Sequence, residues 1–338
     1  MSPTCRILAI ETSCDETSAA VVENGTVVRS NVVSSQVQVH RQYGGVVPEI
    51  ASRKHVESIT WIIEEALRQA GVGRSELSAV AVTQGPGLVG SLIVGLVAAK
   101  TVAAALDIPL IGVHHIAGHI YANRLVRELE YPLVALVVSG GHTELVHVPE
   151  PGVFRILGQT RDDAAGEAFD KVARALGLPY PGGPHIDRLA AEADVPVPLP
   201  RSWLEADTYD FSFSGLKSAV LALINQAKMK GDVVNRAGVA RGFQEAVIEV
   251  LVGKTLRAAR ETGARQVVLA GGVAANRGLR ERLAAGCREE GFPLVVPPAE
   301  YCTDNAAMIA AAAYLKWEKK SFSPLDIKAE PVMKLEAW

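Results

Sequence analysis

Apolar residues along the chain fall into short runs separated by glycine, proline and small polar residues, and the runs recur in one order. Residues 6–10 and 18–22 read as buried strands and 26–33 as a third, with Asn24-Gly25 as a two-residue hairpin signal before the third. A loop over 40–48 leads to a helix over 49–70 with charges on one face. A strand over 77–83 is broken by Gly85-Pro-Gly87, and 88–106 is an Ala/Val/Leu-rich helix expected to be buried. Residues 108–113 form a strand, and 116–129 are helix-compatible. The order then repeats. Strands are expected over 133–138, 143–148 and 153–158, with a tight turn, Ser139-Gly-Gly-His142, between the first two. Helices over 164–176 and 235–262, a strand over 266–270, a helix over 275–290, a strand over 294–296 and a helix over 303–317 follow. Between them, 177–231 diverges from the repeat, and the tail after Ser321 has little periodicity.

A meander of three strands followed by alternating helix and strand, present twice, predicts two α/β lobes. The expected division is 1–112 for the first lobe, 113–132 for a linking helix, 133–302 for the second lobe with its insert, and 303–338 for a helix and tail crossing back to the first. A length of 338 residues suits two domains. No apolar run is expected to span a bilayer, and the first residues lack a signal-peptide core. Cys5, Cys14, Cys287 and Cys302 show no Cys-x-x-Cys spacing, which points to free thiols in a reduced cytoplasm. A net charge of −3 does not announce a nucleic-acid partner, so any such contact would use a local basic patch or a second subunit.

The candidate chemistry centres on Val113-His-His-Ile-Ala-Gly-His119, which holds three of the eight histidines. His115 and His119, four apart, share a helix face at the spacing that grips one ion, while His114 points about 100° away. Helix-terminus or interface histidines would give the same spacing. Ile116 follows His115 where a zincin has its glutamate, so no metalloprotease base is supplied. Cys302-Thr-Asp-Asn305 reads first as a helix cap through Thr303 or Asp304. If the lobes pack as the repeat implies, Asp304 completes a two-histidine, one-carboxylate set suited to a divalent transition metal.

Two polar turns occupy equivalent places in the repeat: Glu11-Thr-Ser-Cys-Asp-Glu-Thr17 and Ser139–His142. Such turns bring backbone N–H groups and hydroxyls to a polyanion, although each could be a plain hairpin. Ala270-Gly-Gly-Val-Ala-Ala-Asn276 follows a strand and opens a helix; Asn276 could bond a purine or ribose, or the stretch could be a simple turn. Tyr180-Pro-Gly-Gly-Pro-His-Ile-Asp187 reads as a rigid loop, over a ligand or as a connector, and Asp170 and Asp187 could accept from sugar hydroxyls. Phe211-Ser-Phe-Ser-Gly-Leu-Lys217 either contacts a base or anion through Lys217 or packs the insert onto its lobe.

The duplicated order resembles the actin, hexokinase and Hsp70 superfamily, an actin-like (ASKHA, ribonuclease H-like) fold whose first hairpin turns hold nucleotide phosphates in a central cleft. With the motifs placed, the sequence resembles the TsaD family, which makes N6-threonylcarbamoyladenosine in tRNA. The likeness rests on residues 10–17, Gly85-Pro-Gly87, His115-x-x-x-His119, Val138-Ser-Gly-Gly-His142, Ala168-Phe-Asp-Lys171, Tyr180-Pro-Gly-Gly183, residues 211–217, Gly271-Gly-Val-Ala-Ala-Asn276 and Cys302-Thr-Asp-Asn305.

The resemblance implies His115, His119 and Asp304 as ligands of one divalent metal, iron or else zinc, with magnesium accompanying a nucleotide. It implies that Val138, Ser139, Gly140, Gly141, His142, Asp170, Gly183, Asp187 and Asn276 line a site for threonylcarbamoyl-AMP. The acceptor would be the adenosine 3′ of the anticodon in tRNAs reading codons that begin with A, and the partners TsaB, a shortened paralogue, and TsaE, an ATPase. Glu11 and Asp15 are the candidate proton acceptors. An actin-like phosphotransferase using ATP would leave the histidines and Asp304 unexplained, and a nucleotide-switched scaffold is a third reading. A metallopeptidase lacks its base.

Overall fold

The computed structural model describes residues 4–205 and 207–338. The chain divides into two compact units, Met1–Leu129 with Pro297–Trp338, and Glu130–Val296.

In the first unit β1 (Arg6–Glu11), β2 (Glu16–Glu23) and β3 (Val27–Ser35) form an antiparallel meander. Asn24 and Gly25 take φ of 51° and 69°, the conformation the hairpin signal requires. A Cβ on Gly25 would lie 2.5 Å from the Tyr314 ring, so close approach as well as φ selects glycine there. Next come α1 (Val37–Arg41), which runs into the start of the expected loop, α2 (Pro48–Ala70), β4 (Ala79–Gly85), α3 (Val89–Leu106), β5 (Leu110–His114) and α4 (His115–Tyr121). Strands β4 and β5 add in parallel beside β1, giving the order β3-β2-β1-β4-β5. Alternation sets the two faces. Leu8, Ile10, Val80 and Val82 pack under Ile59 and Leu67 of α2 and Leu96 and Ala99 of α3.

Three expectations about helices need correction. Helix α3 is long and apolar enough to cross a membrane by length and composition, contrary to the sequence reading, but it packs one face on this sheet. Nor is it buried all round: Val89, Ile93 and Val97 are about half exposed along its outer side. The stretch expected as one helix to residue 129 is α4 followed by a 3-10 turn over Ala122–Leu125. There Asn123 Nδ2 donates to the Ile120 carbonyl, competing with continued helix.

The second unit repeats the sheet. Strands β6 (Leu133–Val138), β7 (Thr143–Val148) and β8 (Arg155–Gln159) form a meander. Helices α5 (Ala165–Ala175), α6 (Gly182–Ala191), α7 (Ser214–Lys230) and α8 (Arg236–Glu261) precede β9 (Gln266–Ala270), α9 (Arg277–Glu290) and β10 (Leu294–Val295). The strand order is β10-β9-β6-β7-β8, with β9 parallel to β6 and to β10. The stretch expected as an irregular loop over 180–187 is the start of α6 instead. Pro181 caps it and Pro184 falls in its first turn, where backbone N–H groups have no helical partner to lose.

The chain then returns to the first unit through α10 (Ala299–Cys302) and α11 (Ala306–Glu318). Helix α11 lies across β1 and β2 on the face away from α2. Its alanines 306, 307 and 310–313 are fully buried and let the helix approach closely. Ser18 Oγ accepts from the Ala306 N–H and Asn31 Oδ1 from that of Ala307, fixing the helix start to the sheet.

Candidate functional site

In the first unit the carboxyl ends of β1, β4 and β5 carry Glu11, Thr83 and His114, and α4 starts there with His115. One helical turn brings His119 level with His115, their ring centroids 4.6 Å apart. Asp304 arrives from the opposite end of the sequence. The sequence reading gave Thr303 or Asp304 the capping of the last helix, but the cap is Asn305, whose Oδ1 accepts from the Met308 N–H at 3.0 Å. Asp304 is thereby left to turn its carboxylate to the histidines. Its Oδ1 lies 3.1 Å from His119 Nε2 and 3.5 Å from His115 Nε2. Two donors each about 2.0–2.1 Å from one ion sit about 3.0–3.4 Å apart at octahedral to tetrahedral angles, so the spacing fits.

The chemistry of the donors agrees. His119 is fully buried; its Nε2 faces Asp304, and its Nδ1 has no hydrogen-bond partner, a costly state for a buried ring nitrogen. Burial drives its basicity down, which leaves it neutral and ready to donate a lone pair. Among the described residues, His115, His119 and Asp304 form a group of donor atoms within 4.8 Å of one another.

His115 is oriented from behind. Its Nδ1 lies 3.2 Å from Glu11 Oε2 and 3.2 Å from Ser13 Oγ. Glu11 Oε2 also accepts from Thr83 Oγ1, and Oε1 from the Ser13 N–H, both at 2.5 Å. Burial raises the Glu11 carboxyl, but His115 beside it outweighs this and holds it below its ordinary value. His115 in turn is buried between two carboxylates, and despite that burial Asp304 and Glu11 push it up to about 9. A carboxylate behind a ligating imidazole is the usual outer support of a metal ligand, fixing ring and tautomer. The turn itself is held by a buried polar chain: His55 Nε2 donates to the Cys14 carbonyl at 2.9 Å, and Thr17 Oγ1 lies 2.8 Å from His55 Nδ1. Asp15 is nearly buried in the same turn, and its carbonyl accepts from the Gln36 N–H.

The predicted binding residues lie in the second unit: Val138 ends β6, residues 139–142 and Asn276 follow β6 and β9, and Asp170, Gly183 and Asp187 stand on α5 and α6. The turn after β6 closes on itself: the Ser139 N–H donates to the His142 carbonyl and the His142 N–H to Ser139 Oγ. Gly140 and Gly141 are exposed at its tip, and a Cβ on either would meet nothing within 4 Å. Gly271, at φ 88°, brings the next turn onto the Val138 carbonyl where a Cβ would collide. Asn276 caps α9 through the Leu279 N–H and donates to Gln244 Oε1 at 2.8 Å, so both ends of its amide are engaged. Asp170 accepts from the Gly182 N–H at 2.6 Å, and Gly183 beside it is open to substitution. Asp187 Oδ2 lies 3.4 Å from the Arg277 N–H, while its buried Oδ1 has no partner. The carboxyl ends of parallel strands are where open α/β sheets bind ligands.

Lys217 turns inward to Asp163 at 2.6 Å, and Phe211 and Phe213 are fully buried. Of the two sequence readings for residues 211–217, the packing one matches. Thr83 is not signalled by the sequence, because only the pairing of β1 with β4 brings it to Glu11.

A family model described as "TsaD: tRNA N6-adenosine threonylcarbamoyltransferase" matches residues 27–311. The chain is 62% identical over 330 residues to a tRNA N6-adenosine threonylcarbamoyltransferase of Halalkalibacterium halodurans, covering 98% of this chain and 96% of that one. It is 62% identical over 331 residues to the protein of the same name in Geobacillus thermodenitrificans, covering 97% and 96%. Among solved structures it resembles component A of the Acidaminococcus fermentans (R)-2-hydroxyglutaryl-CoA dehydratase, with a TM-score of 0.56 and 16% identity over 93% of this chain and 98% of that one. It also resembles full-length HypF, with a TM-score of 0.62 and 16% identity over 94% of this chain and 47% of that one. At that identity these likenesses speak for the fold, which is actin-like.

Proposed function

The chain belongs to the TsaD family of tRNA N6-adenosine threonylcarbamoyltransferases, and from that premise we propose that it moves the threonylcarbamoyl group from threonylcarbamoyl-AMP to N6 of the adenosine 3′ of the anticodon, position 37, in tRNAs reading ANN codons. The N6 nitrogen attacks the carbamoyl carbon, a C–N bond forms, the bond to the phosphate oxygen breaks, AMP leaves with the electron pair, and N6 gives up a proton. The donor is a mixed anhydride, already activated, so the protein has mainly to position it and meet developing charge.

The observation that carries this reading is the convergence of buried His119 with His115 and Asp304, their donor atoms within 4.8 Å of one another, in a chain of this family. These three would hold one divalent cation, iron or alternatively zinc, with positions left open, since two imidazoles and one carboxylate leave an ion positive and incompletely ligated. Such an ion supplies a Lewis acid that can polarise a carbonyl or orient the threonyl group. The glycine turn at 139–142, with Asp170, Gly183, Asp187 and Asn276, would receive the adenylate, and magnesium could accompany a nucleotide there. Glu11 is sealed behind His115, a placement that suits an orienting carboxylate better than a base meeting substrate.

TsaB and TsaE are the partners this reading carries. The half-exposed Val89, Ile93 and Val97 on α3, with exposed Val56 and Trp61 on the neighbouring α2, support a protein-binding face. A net charge of −3 supports sharing tRNA recognition with such partners, in the cytoplasm where tRNA is. The test is incubation of the purified chain, with its partners, with labelled threonylcarbamoyl-adenylate and unmodified tRNA. Labelled adenosine in digested tRNA is expected; label moved to a sugar or lost as phosphate would favour the phosphotransferase reading.

A further inference from the structure

The tail that shows no periodicity in the sequence is tied to the strand and histidine that lead into the helix of the candidate ligands His115 and His119. Strand β5 is an edge strand with one flank unpaired by the sheet. The tail covers that flank. The Ser323 N–H donates to the Leu110 carbonyl at 2.8 Å, and Ser323 Oγ accepts from the Gly112 N–H at 2.9 Å. Lys100 Nζ holds the Ile327 carbonyl, and the Glu330 N–H donates to the Gln84 carbonyl at 2.9 Å. The Gly87 N–H reaches the Pro331 carbonyl at 3.3 Å. Trp338 closes the far end: its Nε1 donates to the Gly112 carbonyl at 3.0 Å, with Lys316 Nζ at 4.5 Å over its ring.

Between these anchors lies His114, almost fully buried. Its Nδ1 accepts from the Ile116 N–H at 3.1 Å and so caps α4. Its Nε2 must then carry the proton and donates to the Met333 carbonyl, also at 3.1 Å. A helix of seven residues has little stability of its own, so its pose is set by what holds its ends. The residue next to His114 is the ligand His115.

We propose that residues 330–338 and His114 form a clasp that positions α4, so that the tail sets how tightly the chain holds its metal. The inference rests on the ligand assignment above, and His114 acts as a positioning residue through the backbone of His115. Asn at position 114 still caps a helix but is too short to reach Met333.

Metal-free protein is titrated with the divalent cation against a chromogenic chelator, and amide exchange of α4 is followed in the same metal-free samples. His114→Asn, and removal of residues 332–338, should each weaken metal binding about tenfold to a hundredfold, the range for outer supports of ligands. Both should speed exchange at residues 116–121, and the two changes combined should cost no more than either alone. Val233, 97% exposed in the second unit, serves as control: Val233→Ser should change neither readout. Wild-type affinity and exchange in His114→Asn, or losses from the two changes that simply add, would overturn the clasp. Undiminished metal binding in His119→Ala would instead strike the ligand assignment, so the two failures can be told apart.

Discussion

The two units share a five-stranded sheet of the same order, yet the turns that follow their first strands are opposites. After β1 the chain passes through Glu11, Thr12, Ser13 and Asp15, all buried and bonded to fixed partners. After β6 it passes through Gly140 and Gly141, exposed and with open space where side chains would go. One turn is built from side chains that hold charge in place, the other from backbone that a ligand can approach. Two glutamates, Glu11 and Glu144, sharpen the contrast. Glu11 is met by His115, Thr83 and the Ser13 N–H and keeps its charge readily. Glu144 on β7 has one buried oxygen without any partner, and burial pushes its carboxyl up to about 7. Duplication copied the frame, and each copy carries different chemistry at the same strand ends.

The largest effect belongs to the charged side. His119→Ala or Asp304→Ala should bring metal content to background and lower threonylcarbamoyl transfer at least about a hundredfold, since even outer supports of ligands cost that much. Elemental analysis and a transfer assay on the folded variants decide it, and wild-type metal content in His119→Ala would remove the ligand assignment. On the backbone side, Gly140→Val should leave the fold and the metal intact, because its Cβ meets nothing, but weaken adenylate binding at least about tenfold by blocking close approach. Calorimetry with a non-hydrolysable adenylate reads this directly, and unchanged affinity would mean that the turn is only a hairpin.

Glu11→Gln should keep the metal site but loosen it about tenfold to a hundredfold, with Thr83→Val milder, as chelator competition would show. The smallest effect is in stability. A carboxyl whose folded pKa is raised favours the folded state most when protonated, so the wild type should lose up to about 3 kcal/mol from Glu144 as pH rises from about 4 to 7. In Glu144→Gln that slope should vanish, leaving the variant more stable at pH 8 in denaturant titrations. An equal slope in both proteins would mean that Glu144 finds a partner in solution.

The strands and their repeat were legible because alternation and short apolar runs report burial locally. The His115–His119 pair was legible because a helix converts a spacing of four into one face. What spacing could not give was set by contacts across the sequence. The spacing at 302–305 predicts a helix cap at Thr303 or Asp304, and only the structure gives that cap to Asn305 and turns Asp304 to the histidines. His114 stands outside the pair by its spacing, and its contact with Met333 comes from the far end of the sequence. The helix at 182–191 was hidden by Gly-Gly-Pro, residues that discourage a helix interior but are tolerated in a first turn. The outer side of α3 read as core because composition does not say which flank a neighbour covers.

One feature of the chain path bears on how the protein is made. The first unit is discontinuous: residues 297–338 complete a body begun by 1–129, while 130–296 lie between them as a unit of their own. At synthesis rates of about 5–20 residues per second, Asp304 leaves the ribosome many seconds after His119. The inserted unit can close while the earlier sheet still lacks α11 over one face. The newborn chain therefore spends that interval with β1 and β2 uncovered and two histidines waiting, an interval in which holding chaperones have an apolar sheet to bind and stray metal finds only half a site.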